Sequence, residues 1–252
     1  MIENKILDSK DWKKFFGKEI KIPKDNIIFP RMLKKRWGSV ELAIISNYID
    51  KDKDYDLIDI GANVGLISLI LNDSFKIQNT ICFEPDKINY DCLKHNLDGI
   101  NCSIFNFGLG NKNETVVFYK DNLNNGNHSV YKNKELIKHG FTTTTVDIKT
   151  PDYAFNNINL KNNIIYKSDT QGNDVKIVNE MPDTIWKNVE LAWLEIWLLD
   201  YNDIETFYKK LSQFKIFYHK NQEISLDKLK NVIGNLKGKF TDIICAKGNY
   251  NQ

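Results

Sequence analysis

The stretch Asp59-Ile60-Gly61-Ala62-Asn63-Val64-Gly65 constrains this chain more than any other. It joins a β-rich apolar run at 55–60 (YDLIDI) to a second apolar run at 64–71 (VGLISLIL) that reads as a helix. Strand, glycine turn and helix in that order open a βαβ unit, and the chain goes on in the same way. A second strand at 80–83 (TICF) runs into Glu84-Pro85-Asp86 and a helix over 87–97, where Pro85 suits a first helical turn. Further strands are expected at 103–107, 163–168, 189–197 and 240–246, with helices over 173–180 and 204–214. Two extended runs, 115–119 (TVVFY) and 142–148 (TTTTVDI), read as hairpin strands rather than a crossover helix, with a polar loop at 121–128 (DNLNNGNH) between them. Alternation of this kind predicts an α/β sheet wound on both faces. Residues 1–50, with Trp12, Phe15, Phe16, Trp37 and the basic run Lys34-Lys35-Arg36, are expected to form a mainly helical cap, and 51–252 the main domain.

Composition narrows the class. The 252 residues are 42% hydrophobic and 27% charged, which is enough for one large core without metal or disulfide staples. A formal charge of +2 gives no basic stripe for wrapping nucleic acid or coating an anionic membrane, so nucleic acid is an unlikely partner on this reading. Cys82, Cys92, Cys102 and Cys245 form no CxxC pair, and Cys82 and Cys245 lie in apolar runs where a thiol packs as a small hydrophobe. The first residues, MIENKILDSKDWKK, break their apolar positions with charge, so neither a secretory segment nor a membrane span is expected, and the expected location is cytoplasmic.

The glycine turn also bears on the ligand. A dinucleotide fingerprint is G-x-G-x-x-G, which sets a pyrophosphate over a helix N-terminus. Here the pattern is G-x-N-x-G, with the carboxylate of Asp59 expected at the mouth. A carboxylate there repels a pyrophosphate and attracts a ligand bearing an ammonium and a sulfonium, which describes S-adenosylmethionine. Glu84 follows Asp59 by 25 residues, close to the roughly 20-residue spacing at which an acid meets ribose hydroxyls. The competing readings are a helix N-cap for Asp59 and a surface acid before a proline turn for Glu84.

Four blocks in order, LIDIGANVGLISL, CFEPDKINYDCLKHNL, NFGLGNKNETVVFY and IIYKSDTQGNDVKIV, resemble the conserved blocks of the FkbM family of class I S-adenosylmethionine-dependent methyltransferases. The similarity covers roughly residues 55–197 plus a closing strand at 240–246. It implies a Rossmann-like, doubly wound, mostly parallel sheet of seven strands with a reversed strand at its edge, and methyl transfer to oxygen, commonly on a sugar or natural product. Asp59, Gly61, Asn63 and Gly65 resemble the first cofactor motif, and Glu84 with Pro85 the ribose-holding block. Asn106 and Gly108 lie in the segment that would flank adenine. Lys167, Asp169 and Gly172 resemble a Lys-x-Asp-x-x-Gly block, with departures at Gln171 and Asp174, where glutamate is common.

A hydroxyl acceptor must lose a proton. Asp169, at the carboxyl end of a strand, is the first candidate to orient or deprotonate it, against a helix-capping reading; it also counts among the cofactor contacts. His128, in the polar loop, is the second, with Lys167 as a third catalytic candidate. His95, His139 and His219 read as surface or packing residues. Trp193, Glu195 and Trp197 alternate onto one strand face, so Glu195 and Trp197, with Gln171, are candidate acceptor contacts. Arg31, Lys34, Lys35 and Arg36, with Trp37, could grip a phosphate or an acidic glycan, but a short basic run is usually a solvated helix face. Metal-ligand spacing is absent, so no metal is expected. An RNA ribose 2′-O-methyltransferase and a non-catalytic binding module with the same fold remain as alternatives.

Overall fold

The computed structural model describes residues 19–23, 27, 39–197, 203–220, 222–236 and 239–248. A first helix α1 (Ser39–Ile45) precedes the central strand β1 (Tyr55–Ile60), whose six residues are all buried. Then follow α2 (Leu66–Ser74), β2 (Ile77–Phe83), α3 (Lys87–Asn96) and β3 (Cys102–Phe105). A three-stranded insertion comes next, with β4 (Gly108–Leu109), β5 (Glu114–Asp121), the short helix α4 (Lys134–His139) and β6 (Phe141–Lys149). The chain returns to the main sheet through α5 (Pro151–Phe155), β7 (Asn163–Ser168), α6 (Asp174–Glu180), α7 (Asp183–Trp186) and β8 (Val189–Trp197). It closes with α8 (Ile204–Leu211), β9 (Ile216–His219), β10 (Gln222–Ile224), α9 (Leu226–Gly234) and β11 (Phe240–Ala246).

The main sheet has eight strands in the order β10-β9-β11-β8-β7-β1-β2-β3. β1 pairs in parallel with both β2 and β7, and β8 continues the parallel run. The reversed strands are β11, which lies antiparallel between β8 and β9, and β10, which pairs antiparallel with β9 at the edge. This is the doubly wound, Rossmann-like α/β fold expected from the sequence, with a reversed edge strand. The count is eight rather than seven, because Gln222–Ile224 folds back on β9 as an extra edge strand, and the reversed final strand β11 sits two places in from that edge.

The alternation of side chains along β1 divides the core into two layers. Ile58 and Ile60 face one layer with Tyr166, Val175, Phe207 and Leu229. Tyr55 and Leu57 face the other, with Ile45, Leu71, Ile165 and Leu191. Where a crossover helix would usually join β3 to β7, the second sheet, β4-β6-β5, stands over the carboxyl ends of the strands with its own small core of Phe118, Val146 and Ile148. From the expected cap, Ile20 and Ile22 are buried against α2 and α3, and Asn96 fixes them by exchanging hydrogen bonds of 2.7 Å with the backbone of Lys21. Trp12, Phe15, Phe16, Arg31, Lys34, Lys35, Arg36 and Trp37 lie outside the described residues. Cys82, Cys92 and Cys245 are buried and Cys102 is half-buried, all as free thiols. No helix among the described residues is long and apolar enough to cross a membrane.

Candidate active site

Strand order reverses at β1, with β2 and β3 to one side and β7 and β8 to the other, so the crevice outside these strand ends is where an open α/β sheet binds ligands. A cavity of about 660 Å³ occupies that position, within the range of small-molecule sites. Its walls include Gly61, Asn63, Glu84 and Pro85 at one end, and Asp169, Gln171, Glu195 and Trp197 at the other. The loop at 124–128 also lines it.

The glycine turn is built for close approach. Gly61 has φ of 70°, and a Cβ there would stand 2.0 Å from the carbonyl oxygen of Asp169. Gly65, with φ of 83°, begins α2, and its Cβ would meet Leu93 at 2.7 Å. Both positions need glycine, because the left-handed region strains other residues and no space is left for a side chain.

Asp59 does not reach the cavity. Side chains of β1 alternate, and Asp59 points to the α2 layer, fully buried. There it accepts from Ser68 Oγ at 2.6 Å and pairs with Lys167 Nζ at 3.0 Å, its register neighbour on β7. Lys167 spends its other donors on Gly61 O at 2.7 Å and Ile60 O at 3.5 Å. Burial alone would lower the lysine, but the carboxylates of Asp59 and Asp169 outweigh it and hold it above its ordinary value. Lys167 therefore cannot take up a proton, and its role is to neutralise Asp59 and brace the turn.

Glu84 is the acid at the glycine-turn end of the cavity. It lines the cavity at 4% exposure, with Oε2 accepting from the Asn63 N–H at 2.8 Å and Oε1 from the Asp86 N–H at 2.9 Å. Burial raises its pKa to about 8 against the pull of those bonds. Asp86 caps α3, accepting from the Ile88 and Asn89 N–H groups at 3.0 Å each, so Pro85 precedes the cap rather than standing in the first helical turn. Gly108 lines the cavity, whereas Asn106 points away and is spent on Glu84 O and Pro85 O, at 3.0 and 3.1 Å. Asn63 lines the wall in a left-handed conformation, with φ of 52°.

At the opposite end one amide bridges two carboxyl groups. Gln171 Nε2 donates to Asp169 Oδ1 and to Glu195 Oε2, both at 2.8 Å, and Trp197 Nε1 donates to the same Oε2 at 2.6 Å. Burial, then the negative charge of Asp169 and Asp174, raises Glu195 well above its ordinary value. Trp193, Glu195 and Trp197 share the face that the alternation predicted, and Phe240 stacks on Trp197 at 5.1 Å between centroids.

His128 lines the cavity, but its Nδ1 accepts the Asp121 N–H at 3.1 Å. Burial lowers its pKa to about 4. The neutral ring then carries its hydrogen on Nε2, so at neutral pH it donates to a ligand and cannot take a proton from one. His139, read as a surface or packing residue, packs its Nδ1 against Asp121 Oδ2 at 2.9 Å. Sequence reasoning missed Phe118, Asn89 and Val130 on the walls, since nothing in their spacing marks them; Asp242, the register partner of Glu195, needed the strand pairing to be seen. Among the described residues, no group of three or more His, Cys, Asp or Glu could hold a metal ion.

No protein-family model matches the sequence, and no curated protein is similar to it at a significant level. Solved structures are similar at a distance. The methyltransferase FkbM from Methylobacillus flagellatus KT aligns with a TM-score of 0.44 and 13% identity, over 76% of this chain and 43% of that one. This chain thus spans less than half the length of that protein. Precorrin-6y C5,15-methyltransferase from Geobacter metallireducens GS-15 aligns at 0.41 and 8%, over 82% and 87% of the two chains. The N-terminal domain of human METTL16 in complex with SAH aligns at 0.43 and 11%, over 94% and 78%.

Proposed function

We propose that this chain is an S-adenosylmethionine-dependent O-methyltransferase acting on a hydroxyl of a glycan or small-molecule acceptor. The observation that carries the reading is the charge of the cleft. Its described walls hold Asp169, Glu135 and Asp242, together with Glu84 and Glu195, which burial shifts toward their neutral forms, and their one lysine is committed to Asp59, so no uncommitted lysine or arginine on these walls faces a ligand. Such a wall disfavours phosphorylated ligands and suits a cationic nucleoside. The selection that the sequence reading gave to Asp59 thus falls to Glu84, whose carboxylate backs onto the glycine turn, where it can accept from ribose hydroxyls.

S-adenosylmethionine, when bound, would supply an electrophilic methyl group that needs little activation from the protein. Gly61, Asn63, Glu84, Pro85 and Gly108 would form its bed, whereas Gly65, expected from the sequence to be a contact, is not on the cavity wall and faces Leu93 of α3. Asp169, held by Gln171, is the group that accepts the hydroxyl proton, because His128 and Lys167 both lack an available lone pair at neutral pH. Glu195, fixed by Gln171 and Trp197, presents its carboxyl group to an acceptor hydroxyl, and the Trp197 and Phe240 rings give a flat surface for a sugar face.

Calorimetry with S-adenosylmethionine and S-adenosylhomocysteine tests the core of this. Binding of both is expected, and a folded sample that binds neither overturns it. Mass spectrometry of extracts incubated with isotope-labelled methyl donor then names the acceptor; label in RNA would replace the glycan or small molecule by the ribose alternative.

A further inference from the structure

The amide of Asn63 performs a task different from the cofactor contact expected of it. Oδ1 accepts from the Val64 N–H at 2.9 Å, and Nδ2 donates to the carbonyl of Asn125 at 2.8 Å. One partner can only donate and the other can only accept, so the amide has one possible orientation. The backbone N–H of the same residue holds Glu84 Oε2 at 2.8 Å. Asn89 Nδ2, from α3, reaches the same Asn125 carbonyl at 3.5 Å.

Asn125 lies at the tip of the loop that follows β5, and that loop lines the cavity. Its stem is self-supporting. Asp121 accepts from the Leu123 and Asn124 N–H groups at 2.8 and 3.0 Å and from Asn127 Nδ2 at 2.6 Å. Ser129 pairs with Tyr119 through two backbone bonds, and its hydroxyl donates to Gln171 O at 2.8 Å. The stem is therefore moored to the acceptor end, while the tip reaches the nucleoside end through Asn63, 62 positions earlier in the chain.

We infer that Asn63 is a positioning residue whose side chain fastens the loop tip over the glycine turn, so that one residue sets both the roof of the nucleoside end and the acid beneath it. The ligand named in the test rests on the function proposed above; the fastening does not. With the fastener gone, the loop keeps its local fold and the longer Asn89 contact, but its tip is held less tightly and the nucleoside end opens more often.

Two variants test this. Asn63→Asp keeps size, left-handed tolerance and the bond from Val64 but cannot donate to Asn125, and Asn63→Gly keeps the turn with no side chain. In both, amide hydrogen exchange at 123–127 should quicken about tenfold, the scale of one lost hydrogen bond, with an unchanged thermal midpoint. Dissociation of S-adenosylhomocysteine should quicken by a similar factor while its association rate holds. Exchange at 123–127 equal to wild type in both variants overturns the inference, as does faster exchange with an unchanged dissociation rate. If wild type binds no S-adenosylhomocysteine, the functional reading fails, and the exchange measurement decides the fastening alone.

Discussion

Asp169 and Lys167 stand two positions apart on one strand end and do opposite things. Asp169→Asn keeps an acceptor for Gln171 but loses the basic oxygen, so turnover should fall by about 10²- to 10⁴-fold with cofactor affinity unchanged. Steady-state rates and calorimetry separate the two, and wild-type turnover would remove Asp169 from the chemistry. Lys167→Met leaves Asp59 buried and unpaired, which should cost about 3–5 kcal/mol in urea denaturation, while adding Asp59→Asn recovers most of it. The sequence marked both carboxyl-end acids, yet it placed Asp59 at the mouth. Its true direction follows from the pleat of β1 and from the fact that β7 is the neighbouring strand, and only the second of these is invisible in a linear chain.

At the level of elements, the turn between β1 and α2 welds to the end of β7. Gly61→Ala forces a Cβ to within 2.0 Å of Asp169 O at a left-handed φ. It should abolish cofactor binding and cost more than the roughly 1–2 kcal/mol of left-handed strain alone. Gly99→Ala, at φ of 84° with open space around it, supplies that reference in a thermal melt. Equal losses in the two variants would contradict the weld. The regular strands were legible because they are short, apolar and bounded by turn residues: Tyr55–Ile60, Asn163–Ser168 and Val189–Trp197 stand where the pattern put them. The hairpin Ile216–His219 with Gln222–Ile224 was not, since IFYHKNQEI carries neither clean alternation nor an Asn-Gly turn. The insertion was read as extended, but its place over the cleft comes from tertiary contacts such as Asn63 to Asn125.

For the molecule as a whole, the buried acids set a pH dependence. Glu84 is raised to about 8 and Glu195 is raised well above its ordinary range, so the folded state holds protons that the unfolded chain has released. Stability therefore falls as pH rises from the unfolded glutamate value toward about 8. Below about pH 6.5, His128, lowered to about 4, works the other way, because its unfolded imidazole binds a proton that the folded one does not. The clear window is thus pH 7 to 8, where urea denaturation should show a loss on the order of 1 kcal/mol. Ribose hydroxyls donating to Glu84 favour its ionised form, so S-adenosylhomocysteine should flatten that slope; stability that rises over the same window would refute the assignment.

Asp169 donates its backbone N–H to Ile60 O at 3.0 Å, joining the two ends of the cleft across more than a hundred positions of chain. During synthesis, the first strand and its glycine turn leave the ribosome long before their partner does, and at 5–20 residues per second that wait lasts several seconds. The cleft is therefore completed only when β7 docks on β1, and that single step fixes the distance between its two sides.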